Sequence, residues 1–402
     1  MKTEMKSNQE QGQVLVIMVF GLILLLVIAG LAIDGGTVFL ERRRMQNAAD
    51  AGALAGTRQL AQSICGEESA AATDAAVFDA VSEYVIDRNH AGGFEASYVR
   101  FEGRNVVQFS PRVLVGSGVV PNGAAGVAVT ATVTRSTYFM TLVGIHEAGA
   151  AAPATAVTGP PLMMGGLRPF GVPNELASTV PVNSGADSCF TLNFRANCKN
   201  DDDCTVEYID GHSSAHRGWM NFDFIWQHRE YSGWPRALDN TTNANVLADW
   251  MENGWDGTLY ADCMWSEGCY SGDYVDAKPG QTQSVFWATP IDELFYVPIY
   301  DAVPDCPDKG KPLDIVAPYP EDPYPGPRGD EACSGGQTPA YYHVVGFAGV
   351  IVPPGGVAHG GGNGSITVCL QETIMGQGQP SPNNGFGHDP CSTRTMVVVL
   401  WK

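Results

Sequence analysis

The sequence has few basic residues, and this shortage narrows the classes of partner that it can bind. It carries 23 Lys and Arg against 43 Asp and Glu, which gives a formal net charge of −20. A nucleic-acid interface needs clustered positive charge to neutralise phosphates, so nucleic acid is not an expected partner. Apolar residues still make up 44% of the chain, which is enough for a folded core.

The spacing that typifies structural zinc sites is also missing. None of the ten cysteines lies in a C-x2-C pair, so we expect no metal and no other cofactor. Nine of the ten lie between Cys189 and Cys391, with Cys65 outside, which fits disulfides formed in an oxidising compartment. The spacing suggests local pairs but leaves the connectivity open: Cys198 with Cys204, Cys263 with Cys269, Cys306 with Cys333, and Cys369 with Cys391.

Charge is absent from one long apolar run, Val14 to Ile33. Fifteen of its twenty residues are Leu, Ile, Val or Phe. A helix of this length rises about 30 Å, the thickness of the hydrocarbon core. Insertion of these side chains is favourable by about 5–9 kcal/mol on the translocon scale. The run therefore predicts a transmembrane helix at residues 14–33, in contact with membrane lipid.

Two features complicate the assignment of this anchor. Gly30-Leu31-Ala32 resembles a signal-peptide cleavage site, but the run is longer than usual and continues as helix, which favours a retained anchor. Basic residues alone would mildly favour the reverse orientation, with Arg42 to Arg44 after the run. We give more weight to the nine downstream cysteines, because disulfides need an oxidising compartment and therefore favour an extracytoplasmic position for the residues after the run. Residues 1–13 are expected to be a cytoplasmic tail, with the bulk of the chain extracytoplasmic at the cell membrane.

Residues 37–63 are predicted to continue the helix, because they are rich in good helix formers and contain no proline. Gly35-Gly36 can bend the chain at the membrane interface. Small side chains recur at helical spacing and predict a face for close packing, either on the protein's own sheet or on another helix in a bundle or filament. The face comprises Ala48, Ala51, Gly52, Ala55 and Gly56.

Two motifs follow the apolar run: "AIDGG" at residues 32–36 and "MQNAADAGALAG" at residues 45–56. They resemble the N-terminal domain of TadG-like proteins of the Flp/Tad pilus-assembly system, which has an apolar helix, a "-VD-G" exit and an "R--LQ-AADAAALAGA" stretch. Residues 127–157 resemble the closing strands of that domain and the Phe-containing turn between them. The positions shared in the second motif are Gln46, Ala48, Ala49, Asp50, Ala51 and Leu54.

The resemblance implies a membrane protein whose partners are other pilus-assembly or envelope proteins. It also has limits. Pilins cut by prepilin peptidase carry a cleavage-site glycine with Glu five residues on, whereas Gly12 is followed at that position by Ile17. The DxSxS signature of the von Willebrand A domain is also lacking. These departures favour an anchored assembly or surface protein over a pilus subunit.

The rest of the chain predicts an α+β fold. A second helix at 67–89, a hairpin at 96–109 and a strand at 126–134 suit a small sheet packed on the long helix. "GPP" at 159–161 marks a boundary. We therefore expect an α+β membrane-proximal domain at 34–160. A β-rich, disulfide-braced extracytoplasmic domain is expected at 161–402, with a Pro/Gly-rich loop at 304–340.

Motifs that could carry catalysis are incomplete. Gly211 to Ala215 imitates a nucleophile elbow around Ser213 but ends in Ala and lacks a helix after it. His212 and His216 have the spacing of a zincin but lack its Glu. Asp201 to Asp203 read as a solvated acidic loop rather than a calcium site. We expect no catalytic residues and no enzyme activity, with an anchored hydrolase as the weakest alternative.

Six of the eight tryptophans lie in the region 219–265. Exposed indoles there could bind glycans, which makes a glycan-binding surface protein the alternative function. Burial in a small core is the favoured interpretation, because residues 245–255 read as a short helix with Leu247, Trp250 and Met251 inward. The expected function is a single-pass anchored protein of Flp/Tad-type pilus assembly or cell-surface attachment, acting by protein–protein contacts.

Overall fold

The computed structural model describes most of the chain, and several predicted features lie outside the described residues. These include every cysteine except Cys189 and Cys369, the Ser213 and His212/His216 motifs, the acidic loop at 201–203 and the loop 304–340. The described ranges are 8–64, 68–103, 105–180, 185–195, 219–226, 236–237, 243–261, 272–277, 283–302, 341–360, 363–376, 380 and 395–401.

Helix α1 runs from Asn8 to Ile64 as one element, through both the apolar run and the Gly35-Gly36 pair. Within the described ranges it is the one helix long and apolar enough to cross a membrane. Only 6% of its most apolar window is buried, unlike the core helix of a soluble protein. The predicted long helix is thus confirmed. It contacts the rest of the protein from Gly30 onward.

The first module packs α1 and a second helix on a six-stranded sheet of order β16-β17-β4-β3-β1-β2. The predicted hairpin and strand are confirmed. Except for a parallel β16–β17 pair, neighbouring strands are antiparallel. The elements are α2 (Ala70–Ser82), which continues as a π-helical turn (Glu83–Asp87), β1 (Gly93–Glu102), β2 (Asn105–Gln108), β3 (Gly126–Ser136), β4 (Glu147–Gly159), β16 (Thr373–Met375) and β17 (Thr395–Trp401).

Alternation along β3 builds the core of this module. Val127, Val129, Ala131 and Val133 point to one face and are buried there, under the helices. The polar and small residues between them are more exposed, as expected for a half-buried strand. The sheet therefore has one face for α1 and α2.

The β-rich part is a nine-stranded sheet with short helices around it. Its central path is β14-β15-β13-β11-β8-β9. Off this path, β12 pairs with β13, β6 pairs with β12, and β7 pairs with β15, while β10 and β5 form a separate two-stranded ribbon. The elements are β5 (Met163–Gly165), β6 (Val172–Pro173), α3 (Asn174–Thr179), β7 (Cys189–Arg195), β8 (Met220–Trp226), β9 (Arg236–Ala237), α4 (Ala244–Asn253), β10 (Thr258–Tyr260), β11 (Tyr274–Ala277), α5 (Gln283–Trp287), β12 (Leu294–Ala302), β13 (Tyr341–Ile351), β14 (Val357–Gly360) and β15 (Asn363–Gln371). Together with the first module this confirms the α+β class.

Aromatic rings fill the core of the β-rich part. Trp219 is fully buried and stacks on Phe194, with the ring centroids 4.5 Å apart. Helix α4 buries Leu247, Trp250 and Met251, which confirms the predicted inward face. Large aromatic side chains supply much of the buried apolar area in such cores.

One disulfide is described, and it corrects a predicted pair. Cys369 bonds to Cys189, not to Cys391. The physical reason is strand pairing: β7 and β15 are antiparallel neighbours, and their register places Cys189 directly opposite Cys369. The two residues are 180 positions apart in sequence, so a prediction from spacing paired Cys369 with the nearer Cys391 instead. Disulfide bracing is thus shown for this pair.

The end of the chain joins the two sheets. Strand β17 pairs with β4 of the first module, with Val399 opposite Val157. At the start of β17, the hydroxyl of Thr395 accepts a hydrogen bond from the Gly349 N–H of β13 at 3.1 Å. The boundary predicted near residue 160 stays a prediction, and residues on both sides of it contribute to the first sheet.

A single hydroxyl links α1 to the ladder between β3 and β4. Thr57 donates to the carbonyl of Ala156 and accepts from the N–H of Val127, each at 3.1 Å. Val127 and Ala156 are register partners, so the hydroxyl bridges the two strands at that point. Gly126 next to it has no room for a side chain, because a Cβ would lie 2.1 Å from the Ala156 oxygen. This contact fixes the height of α1 on the sheet.

Replacing Thr57 with Val should destabilise the first module by about 2–4 kcal/mol, since each buried backbone group left without a partner costs about 1–3 kcal/mol. The shape of the side chain is kept, so packing changes little. The thermal midpoint of the full chain in detergent should fall by several degrees. Thr57→Ser keeps the hydroxyl and is the matched control. Equal midpoints for the Val and Ser variants would contradict the role of the hydroxyl.

Candidate functional site

The candidate site is the joint between α1 and the turn that connects β3 to β4. We call residues 137–146 the β3–β4 turn. The turn contains a short 3-10 helix, Met140–Val143, and lies against α1 where the apolar run ends. The joint itself comprises Gly30 and Asp34 on the helix with Tyr138, Phe139 and Met140 on the turn.

Asp34 holds the turn by three hydrogen bonds from consecutive backbone N–H groups. Tyr138 donates to Oδ1 at 2.9 Å, while Phe139 and Met140 donate to Oδ2 at 2.9 and 2.7 Å. The carboxylate is 1% exposed, so these bonds replace its contact with water. They also satisfy the free N–H groups at the start of the 3-10 helix, where negative charge is favourable.

The same contacts keep Asp34 ionised. Burial acts to raise the pKa of this carboxyl, but the backbone hydrogen bonds from Met140, Tyr138 and Phe139 outweigh it and hold the pKa below its ordinary value. A buried carboxylate without partners would be strongly unfavourable. The chain therefore places a charged side chain directly after twenty uncharged residues by enclosing it in the turn.

Gly30 allows the close approach that these bonds need. A Cβ on Gly30 would lie 2.5 Å from the Cβ of Phe139, closer than side chains ever pack. Gly35 and Gly36 differ, because a Cβ on either would meet nothing within 4 Å. The glycine one turn before Asp34 is thus the one that the joint requires for space.

Polar contacts continue along α1 above the joint. Arg135, at the end of β3, lies 3.3 Å from Glu41. Further on, the amide of Gln46 donates to Asp50 at 2.8 Å and to the carbonyl of Pro153 on β4 at 3.2 Å. Exposed pairs of this kind add little stability singly. Together with Thr57 they set the rotation of α1 relative to the sheet.

The small residues of α1 lie partly inside this module. Ala48, Gly52 and Gly56 are buried, whereas Ala51 and Ala55 are half-buried. A Cβ on Gly52 would meet Val85 at 2.4 Å, and one on Gly56 would meet Val81 at 2.6 Å, both on the segment that runs from α2 into the π-helical turn. The glycines therefore give this segment its close approach to α1.

The alternative sites of the sequence are not brought into this joint. Of the tryptophans in the region 219–265, the three whose burial is described, Trp219, Trp250 and Trp255, are at most 7% exposed and offer no surface to a glycan, whereas Trp287, outside that region, is 70% exposed. Trp226 lies on β8, and Trp234 and Trp265 fall outside the described residues, as do Ser213 and the histidine pair. No group of three metal-ligating side chains occurs in the part of the chain that the structure describes.

Sequence reasoning missed the partners of Asp34 and the role of Thr57. A signal existed for each. An aspartate at the end of an apolar run is costly unless it is paired, and a lone threonine on an Ala/Gly helix face is the polar group with the best access to a neighbouring strand. Neither signal identifies the acceptor or donor on a strand or turn about 70 to 100 positions away.

Comparison with protein families finds a match at residues 12–63 to the Tad family, described as "Putative Flp pilus-assembly TadE/G-like". The match confirms the resemblance for this segment, which includes Asp34, Gln46, Asp50 and Thr57. The extension of the resemblance to about residue 160 stays a prediction. Comparison with curated proteins and with solved structures finds no match.

Replacing Asp34 with Ala should release the turn. Hydrogen bonds to a charged acceptor contribute about 1.5–3 kcal/mol, so the amides of Tyr138 to Met140 should exchange with deuterium at least about tenfold faster. The measurement is hydrogen–deuterium exchange of the full chain in lipid nanodiscs. Asp50→Asn, on the same helix but away from the turn, is the control. Unchanged exchange in the Asp34 variant would show that the carboxylate does not hold the turn.

Gly30→Ala should also loosen the turn, although alanine favours helix by about 1 kcal/mol over glycine. The added methyl group displaces Phe139 and lengthens the bonds to Asp34, so the same three amides should exchange faster, to a smaller extent than in the Asp34 variant. Gly35→Ala makes the same chemical change on the same helix but meets open space, and should leave exchange unchanged. Equal behaviour of the two glycine variants would contradict the close approach.

Proposed function

We propose that this protein is a single-pass component of the cell membrane that serves Flp/Tad-type pilus assembly or cell-surface attachment. Its N-terminus faces the cytoplasm and the bulk of the chain is extracytoplasmic. It acts by protein–protein contacts with other pilus-assembly or envelope proteins, not by catalysis. The observation that carries the proposal is the family match at residues 12–63, which covers the apolar helix and the two residues that α1 contributes to the joint, Gly30 and Asp34.

Several residues of the matched segment have a common structural task, and this supports the assignment. Asp34 binds the β3–β4 turn, Gln46 contacts β4, and Thr57 bridges β3 and β4. The segment of α1 that a pilus-assembly family matches thus supplies the side chains that hold the sheet against the helix. Function through contacts requires this docking, because it gives the exposed surfaces a fixed position relative to the anchor.

The sidedness of the proposal is supported by the disulfide. Cys189 and Cys369 are bonded across neighbouring strands, and such bonds persist in oxidising compartments. The net charge of −20 is consistent with a soluble body outside the membrane. An N-terminal tail of residues 1–13 on the cytoplasmic side then follows from a single crossing.

Contacts between the two sheets hold the β-rich part in a fixed position relative to the anchor. Strand β17 lies beside β4 and is also bonded to β13 through Thr395 and Gly349. The described contacts therefore run from α1 through β4 and β17 to β13. A partner bound to the β-rich part would be held at a defined place above the membrane.

Deleting the gene in the source cell should abolish Flp-type pili, seen by electron microscopy, or surface adhesion. The wild-type gene should restore the phenotype. Asp34→Ala should restore it poorly at equal protein level, because the module is no longer fixed to its helix, while Asp79→Asn, at an exposed position on α2, is the control. Protease added to intact cells should digest the body of the protein. Normal pili and adhesion in the deletion strain, or full protection from protease, would contradict the proposal.

A further inference from the structure

The β3–β4 turn presents an apolar surface at the depth where the helix leaves the hydrocarbon. Tyr138 is 73% exposed, Ile145 43% and Phe139 37%, although all three are large and apolar or aromatic. The stretch from Ser136 to Ile145 has no charged residue. Phe39 and Leu40 on α1 are exposed at 69% and 64% a little further from the apolar run. Exposed apolar clusters of this kind mark interaction surfaces.

The position of the turn follows from its contacts with α1. Phe139 packs on Gly30, three residues before the end of the apolar run. The N–H groups of Tyr138 and Met140, on either side of Phe139, donate to Asp34, directly after the run. With a rise of 1.5 Å per residue, Gly30 lies about 4–5 Å inside the hydrocarbon boundary. If the helix spans the bilayer as proposed above, the turn lies at this boundary, within reach of acyl chains.

The backbone of the turn is suited to that environment. Lipid offers no hydrogen bonds, so backbone groups that enter it must be satisfied within the protein. Tyr138, Phe139 and Met140 donate to Asp34. Thr137 donates to the carbonyl of His146, Gly144 to that of Thr141, and Ile145 to that of Met140. These six amides therefore have partners within the protein and do not depend on water.

We propose that the β3–β4 turn is a second membrane-binding element, which inserts Tyr138, Phe139 and Ile145 into the lipid interface beside α1. The inference depends on the proposed membrane anchor. Lipid is the occupant because the surface is continuous with the exposed apolar face of α1, uncharged, and internally hydrogen-bonded. Tyrosine at its edge suits the headgroup level. Two attachment points instead of one would restrict the tilt of the first module relative to the membrane.

The test is photocrosslinking of the full-length protein in vesicles of phosphatidylethanolamine and phosphatidylglycerol with radiolabelled acyl chains. Three variants each carry p-benzoylphenylalanine at one exposed position. Tyr138 probes the turn and Leu24 probes the apolar run. Val119 is the matched control. It is 52% exposed and lies shortly before the first residues of β3, which contact Thr57 far from the apolar run. Thr57 is 23 residues beyond Asp34, about 35 Å along the helix.

The proposal predicts lipid labelling at Leu24 and Tyr138, several-fold above that at Val119. If Leu24 is labelled but Tyr138 is labelled no more than Val119, the turn is not a second membrane-binding element, although the proposed anchor stands. No labelling at Leu24 would contradict the anchor, and with it both proposals. A crosslink from Tyr138 to a second copy of the chain in place of lipid would make the turn a protein interface and would also overturn the inference.

Discussion

The bonds between one carboxylate and three backbone amides determine how this protein is built around its long helix. Asp34 follows twenty uncharged residues, and its charge is tolerable there because Tyr138, Phe139 and Met140 donate to it. The same bonds attach the far end of a hairpin to α1. An apolar helix and a folded sheet thus meet through one ionised group, and the sheet cannot rotate about the helix without breaking those bonds.

Two other constraints place the rest of the first module. Gly52 and Gly56 let the segment that runs from α2 into the π-helical turn approach α1 closely. Thr57 bonds to both strands of the β3–β4 ladder, next to Gly126, where there is no room for a side chain on the strand. These contacts lie about 30 Å along the helix from Asp34. Held at Asp34 and again near Thr57, this part of α1 has a fixed rotation and height on the sheet. Strand β17 then joins this sheet to the β-rich part.

Much of the fold was predictable because its signals are local. Twenty uncharged residues indicate the apolar helix, alternation around Val129 indicates β3, and the spacing of Leu247, Trp250 and Met251 indicates the buried face of α4. The contacts that the sequence did not reveal are long-range. Cys369 pairs with Cys189 because β15 lies beside β7, a neighbourhood set by the whole sheet. Asp34 was recognised as a motif residue, but its acceptor role depends on a turn over 100 positions later.

The central claim is that Asp34 is an ionised acceptor for the β3–β4 turn. The most direct measurement is an NMR titration in nanodiscs that follows the Asp34 carboxyl carbon and the amides of Tyr138 to Met140 together. We expect a pKa below that of an ordinary aspartate, with the three amides shifting at the same midpoint, because their hydrogen bonds are lost as the carboxylate is protonated. A carboxyl that titrates at or above the ordinary value, with amides that do not respond to it, would contradict the account.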